Sequence, residues 1–159
     1  MPTLINIHGP IASGKSTTCD ALRKKLKDFA FVDHAYIKRM LSPIGRTNAK
    51  KIFGEATIFI LKELMKLRKD ILVQERNPIK LKKRLKTFLK GYHVHSFYLS
   101  CSLNEALRRD KSREKRPSPA KKIKENHQMS KPTKHDVIID TEKYPLEKIT
   151  NIILKQIKS

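Results

Sequence analysis

The chain has 159 residues, with 36 Lys and Arg against 15 Asp and Glu, a net charge of +21. That length suits one compact domain and leaves little room for a second core. Hydrophobic residues at 38% and charged residues at 32% make a lean globular chain, and the apolar clusters exclude a disordered polycation. The longest apolar run is only a few residues (Ile58 to Leu61), which excludes a helix crossing a bilayer. The N-terminus has neither the basic segment nor the apolar stretch of a signal peptide. Cys19 and Cys101 stand far apart without metal spacing, so each is expected as a small buried hydrophobe in a reducing cytoplasm. The charge excess has three readings: a grip on a polyanion such as RNA or DNA, attraction of a phosphorylated substrate, or solvated basic faces.

Residues 3–8 (Thr-Leu-Ile-Asn-Ile-His) predict a buried strand ended by Gly9 and Pro10. Ser16 to Phe29 predicts a helix with Cys19, Leu22, Leu26 and Phe29 on one stripe. A short strand over Phe29 to Asp33 follows, then a helix carrying Tyr36, Ile37, Met40 and Leu41 and stopped by Ser42-Pro43. Gly45 to Lys51 reads as a basic loop, and Glu55 to Lys69 as a largely buried helix. A strand over Asp70 to Glu75 has an acidic residue at its end. Leu81, Leu85, Phe88 and Leu89 recur at helical spacing up to Gly91. His93 to Leu99 alternates as a strand; His93 and His95 share a face, with no third metal ligand in view. Ser102 and Glu105 form a capping-box pattern for a helix over Leu103 to about Lys111. Residues 114–134 are basic, contain three prolines and resist assignment. A strand over Val137 to Ile139 and an amphipathic helix over Leu146 to Ile157 close the chain. Strands alternating with helices in this way predict one α/β domain over residues 1–159, with helices on both faces of a parallel sheet of about five strands.

The most specific motif is Gly9-Pro10-Ile11-Ala12-Ser13-Gly14-Lys15-Ser16, placed between a buried strand and a helix. Its glycines allow backbone N–H groups to turn inward as an anion nest, and the helix that follows presents its positive N-terminus to phosphate. Lys15 is expected at the β and γ phosphates of a nucleotide and the Ser16 hydroxyl on Mg²⁺, with Thr17 completing the binding run.

With this loop in place, the chain resembles the small P-loop phosphotransferases of the adenylate-kinase-like superfamily over nearly its whole length. The resemblance implies a kinase using ATP and Mg²⁺ and transferring the γ-phosphoryl group to a hydroxyl. In that group an Asp near the end of the second strand often acts as base, which implies Asp33; a carboxylate there equally suits a helix cap. The group's mobile lid often carries Arg-x-x-x-Arg, which implies Arg109 and Arg113 within a basic lid of about residues 108–134, although charge runs are also commonly just solvated. Glu75 could hold a Mg²⁺-bound water or pair with Arg76 or another base. Arg46 stands at an acceptor-side position or is simply exposed, and Asp140-Thr141 resembles the group's turn near the nucleotide base.

Two subfamilies fit poorly. A shikimate kinase carries Asp-x-Asp where Ala35 replaces the second Asp; an adenylate kinase carries Asp-Gly-Phe-Pro-Arg where this chain reads Val73-Gln74-Glu75-Arg76-Asn77-Pro78. The remaining resemblance is to polynucleotide 5′-hydroxyl kinases, chloramphenicol phosphotransferase-like enzymes and other small hydroxyl kinases. In the polynucleotide kinases the base aligns better with Ala35 than with Asp33. The readings left open are a small-molecule or nucleotide-like acceptor, a nucleic-acid 5′-hydroxyl acceptor, and a P-loop module without kinase activity. Residues 62–90 and 108–134 each hold 11 basic and 3 acidic residues, net +8 apiece. So segregated a charge makes the faces at 80–90 and 108–134 candidates for holding nucleic acid.

Overall fold

Five parallel strands form one sheet in the order β2-β3-β1-β4-β5. They are β1 (Thr3–His8), β2 (Ala30–Asp33), β3 (Ile71–Gln74), β4 (His93–Ser100) and β5 (Asp136–Asp140). The helices are α1 (Lys15–Lys25), α2 (His34–Met40), α3 (Arg46–Lys66), α4 (Pro78–Arg84), α5 (Lys86–Leu89), α6 (Leu103–Lys111), α7 (Ala120–Met129) and α8 (Leu146–Lys158). The computed structural model describes residues 1–159 except 42, 43, 45, 76, 77 and 115–117, and it leaves out the side chains of 46, 50 and 51.

The two-residue period of the strands sorts the core into two layers. Ile5, Ile7, Leu72, Phe97, Leu99 and Ile139 meet Cys19 and Leu22 of α1 and Ile149 and Ile153 of α8 on one side. On the other, Leu4, Val32, Ile71 and Val73 pack with Ile37 of α2, Ile58, Leu61 and Met65 of α3, and Leu81 of α4. β1 lies at the centre with β3 and β4 as neighbours, so strand order reverses around its carboxyl end. Open α/β sheets place their ligands at such a switch point, and the phosphate-loop motif leaves β1 there.

The fold departs from the predicted elements in four places. The loop expected over Gly45 to Lys51 is helix from Arg46 on, where α3 starts, and Gly45 lies outside the described residues. Within that first stretch Ala49 is buried, while Thr47 and Asn48 are exposed, and one small apolar residue leaves almost no periodic signal. The unassigned 114–134 segment contains α7, hidden for a similar reason: Ile123 is its one buried side chain among charged and polar neighbours. The helix over Leu81 to Leu89 is interrupted at Leu85, though Leu85 N–H to Leu81 and Leu89 N–H to Leu85 carry the main-chain path across it. Finally, only half of the capping box forms. Ser102 Oγ accepts from Glu105 N–H, but the Ser102 N–H donates to Glu142 Oε2 at 2.6 Å.

The layer facing α4 also contains polar groups. His8 Nε2 lies 3.0 Å from Asp136 Oδ2, and both side chains are enclosed. Burial pushes the Asp136 carboxyl up, but hydrogen bonds from Ser96, the Thr133 N–H and His8 outweigh it and hold the group below its ordinary 3.8. A folded-state value below the unfolded one stabilises the fold fully above about pH 4, and that contribution disappears as pH falls through the depressed value. In urea unfolding, Asp136→Asn is therefore expected to be destabilised at pH 7, with the gap to wild type closing at acid pH. A gap that does not change with pH would show that ionisation of Asp136 contributes nothing.

Candidate active site

The chain leaves β1 through Gly9 at φ 146°, where a Cβ would stand 2.3 Å from the Leu99 carbonyl oxygen and 2.9 Å from Ser13 Oγ. Only glycine fits there. Ala12 at φ 62° and Gly14 at φ 91° are left-handed, and the Ser13 N–H donates back to Pro10 O at 3.3 Å. Holding alanine left-handed costs on the order of 1 kcal/mol, which the surrounding loop must offset. The outcome is a tight loop wound over the start of α1, whose first intrahelical bond is Thr18 N–H to Gly14 O at 2.9 Å. No described side chain caps α1. Its first-turn amides and its dipole thus face the loop's interior, as an anion site requires.

The side chains around the loop suit a polyphosphate with its metal. Lys15 Nζ lies over the loop and donates to Pro10 O at 2.5 Å. Ser13 is completely buried, and its Oγ has no protein partner among the described residues. Ser16 Oγ receives the Gln74 amide at 3.3 Å, while Gln74 Oε1 is buried and also without a protein partner. Buried oxygens of this kind are costly unless another group satisfies them. Backbone donors, one lysine and a hydroxyl beside an orphaned amide oxygen match phosphate and a hydrated divalent cation. Among the described residues no three His, Cys, Asp or Glu side chains gather to bind a metal alone.

A cavity of about 850 Å³ opens beside the loop. It brings Ser16 and Thr17 of α1 together with Asp33, Tyr36, Gln74 and Arg113. Asp33 caps α2: Oδ1 accepts from the Ala35 and Tyr36 amides at 2.8 and 3.2 Å, while Oδ2 stands 3.8 Å from Arg39 Nη2. Both sequence readings of Asp33 are therefore compatible, since capping occupies one oxygen and the residue still borders the cavity. Glu75 lies outside it. Its Oε2 is 3.4 Å from His34 Nδ1, which also bonds Thr57 Oγ1 at 2.9 Å, and its N–H donates to Ile7 O. Arg76 and Arg116 fall outside the described residues; Arg46 begins α3, with its side chain outside them.

The two expected lid arginines part company. Arg113 borders the cavity and pairs with the buried Asp110, Nη1 to Oδ1 at 3.3 Å. Arg109 does not line it. Its guanidinium donates to Thr141 Oγ1 at 2.8 Å, Thr141 O at 2.9 Å and Ala12 O at 3.4 Å, and its Nε to Glu105 Oε1 at 2.7 Å. Arg108 foremost, and Arg109 after it, hold Glu105 down to about 2 against desolvation. Arg109 thus joins α6, the phosphate loop and the turn after β5. In that turn Asp140 Oδ1 accepts from the Glu142 and Lys143 amides, and Thr141 bonds back to Ser100 O.

Two further residues belong to the site. Asn126 Oδ1 of α7 accepts the Ile11 N–H at 2.7 Å, so the basic segment touches the phosphate loop directly. Nothing in an unassigned segment marks that residue. Gln74 was legible only in principle: it ends β3, and β3 pairs with β1 in a register that opposes Gln74 to Ile7.

No family model matches the chain, and no curated protein matches it. Solved structures do. A sugar kinase from Janibacter sp. superposes with a TM-score of 0.74 at 12% identity, over 99% of this chain and 95% of the other. A gluconokinase from Sinorhizobium meliloti gives 0.69 at 16%, over 94% and 88%. The tunicamycin resistance protein of Deinococcus radiodurans gives 0.69 at 18%, over 99% and 96%. At such identities the likeness is one of fold, and it extends over nearly the full length of each chain. With its parallel sheet, its central β1 and the loop that leaves it, the chain has the P-loop kinase fold.

Proposed function

We propose that the protein is an ATP-dependent phosphotransferase that moves the γ-phosphoryl group to a hydroxyl of a small-molecule or nucleotide-like acceptor. One observation carries this reading: Ser16 and Thr17, where the phosphate-loop motif runs into α1, line the same cavity that Asp33 and Arg113 border. Sugar kinase and gluconokinase among the structural neighbours support an alcohol as acceptor. Mg²⁺-bound ATP supplies the phosphoryl group and a metal that draws charge off the phosphates.

The loop amides and Lys15 hold the donor, with Ser16 as metal ligand and Gln74 orienting its hydroxyl. In this reading Glu75, whose Oε2 is 3.4 Å from His34 Nδ1, buttresses His34. Asp33, fixed by its two amide bonds at Oδ1, orients the acceptor hydroxyl and takes its proton on Oδ2. The acceptor oxygen bonds to the γ-phosphorus as the bridge to the β-phosphate breaks, leaving ADP and a phosphorylated acceptor. Arg113 meets the charge that develops. Arg109 is a positioning residue, because its donors are engaged by Thr141, Ala12 and Glu105. Positioning and electrostatics account for the rate, since the protein forms no covalent bond.

An acceptor screen with γ-labelled ATP over nucleosides, sugars, oligonucleotides and common metabolites tests the reading. Label is expected in one acceptor class, and release of inorganic phosphate alone would overturn it. Once an acceptor is known, Asp33→Asn should lower kcat by about 10²- to 10⁴-fold with nucleotide affinity retained. Transfer that persists in that variant removes Asp33 as base. Arg113→Ala should lower kcat with little change in melting temperature. Arg109→Ala should lower the melting temperature and weaken nucleotide binding, because the loop and the turn after β5 come apart; the reverse pattern would exchange the two roles.

A further inference from the structure

A second cavity, of about 760 Å³, lies on the α4 side of the sheet and shares no lining residue with the first. Its floor is sheet: Leu4 and Asn6 of β1, Val94 and Ser96 of β4. Lys82, Lys83, Lys86 and Lys90 form one wall, and Lys134 with His135 belongs to the opposite one. Among the described residues no carboxylate lines it. Lys134, the last residue of the second basic segment, therefore meets the lysines of the first across one groove.

Three features constrain what fits. Lys82, Lys86 and Lys90 recur every four residues along the α4–α5 path, and all three border the groove. A row of cations matches successive charges on a chain; a single phosphate asks for donors that converge. Apolar surface is exposed in the groove, Val94 of the floor at 45% and Ile79 of α4 at 69%, as suits the faces of unpaired bases better than a duplex that stacks them inside. Asn6 is 3% exposed and lines the groove; its Nδ2 donates to Ser96 Oγ at 3.3 Å, and its Oδ1 has no protein partner among the described residues. That oxygen leaves a buried acceptor for a base-edge N–H.

We infer that this groove binds a single strand of nucleic acid, its phosphates along Lys82, Lys86 and Lys90 and its bases over Val94 and Asn6. The inference is independent of the phosphoryl-transfer reading, because the groove shares no residue with the transfer cavity.

The test uses a fluorescent RNA of about twelve nucleotides, 5′-phosphorylated so that its 5′ end offers no hydroxyl, and follows anisotropy across about 50 to 200 mM salt. The triple variant Lys82→Gln, Lys86→Gln, Lys90→Gln removes three phosphate contacts. Its slope of log K against log salt should fall by about 2, with binding about 100-fold weaker at 0.1 M salt. Val94→Glu, which places a carboxylate on the exposed floor, should weaken binding without removing any lysine. A triple Lys148→Gln, Lys155→Gln, Lys158→Gln on the opposite-face helix α8 removes the same charge and should cost far less, and Asp33→Asn should leave binding intact. ATP binding and melting temperature establish that each variant is folded. A matching DNA strand shows whether the sugar is read. Equal losses from both lysine triples, duplex bound as tightly as single strand, or no measurable binding would each overturn the proposal.

Discussion

Everything that makes the site depends on how closely β1 ends against β4. A Cβ at position 9 would stand 2.3 Å from the Leu99 carbonyl oxygen, so the backbone at Gly9 fills space that any other residue would need. That approach sends the chain straight into left-handed turns at Ala12 and Gly14 and sets α1 directly behind the loop. β1 can be held so tightly because it is central, paired to β3 on one edge and β4 on the other. The same pairing delivers Gln74 from β3 to the Ser16 hydroxyl. Phosphate-binding geometry here is thus a property of the sheet as much as of the glycines.

The upper layer is tied to that loop by polar bonds. Asn126 holds the Ile11 amide, Arg109 joins Ala12 to Thr141, and Glu142 takes both Ser102 donors. A small apolar group of Ala12, Cys101, Ala106 and Ile123 packs beneath these bonds. Two arginines four residues apart on a helix and the turn after it share a sequence pattern, yet one becomes a strut and the other borders the cavity. Arg109 finds acceptors on three elements within reach, and each bond to a backbone or hydroxyl oxygen removes a donor from any phosphate. Arg113 meets the carboxylate of Asp110 at 3.3 Å and stays at the cavity wall.

The two faces of the sheet are chemically unequal. The face toward α1 and α8 is closed by aliphatic and aromatic side chains, whereas the other carries Asn6, His8, Ser96 and Asp136. Near β5 that face is also less covered, with Ile138 59% exposed and Val94 bordering the second groove. Buried polar groups persist only where something offsets their desolvation: His8 Nε2 stands 3.0 Å from Asp136 Oδ2 and Asn6 Nδ2 donates to Ser96 Oγ, while Asn6 Oδ1 and Asp136 Oδ1 have no protein partner among the described residues. Four lysines at 82–90 meet Lys134 over this open side.

The sequence by itself determined the parallel α/β architecture and the phosphate loop, because strand and helix periods and a glycine-spaced motif are local properties of the chain. It also determined that Asp33 would end β2 and that Ser102 would start α6. Elements anchored by a single apolar residue, such as the first turns of α3 at Ala49 and α7 at Ile123, left no period to read. Tertiary structure alone decided which long side chains meet the site. The 67-residue span between Asp70 and Thr3 and the 115-residue span between Asn126 and Ile11 close only once strands are ordered in the sheet. It also decided where positive charge gathers, bringing Lys134 into one groove with the lysines of α4 and α5. Charge has no period and no preferred partner along a chain, so its meaning depends on which surfaces the fold brings face to face.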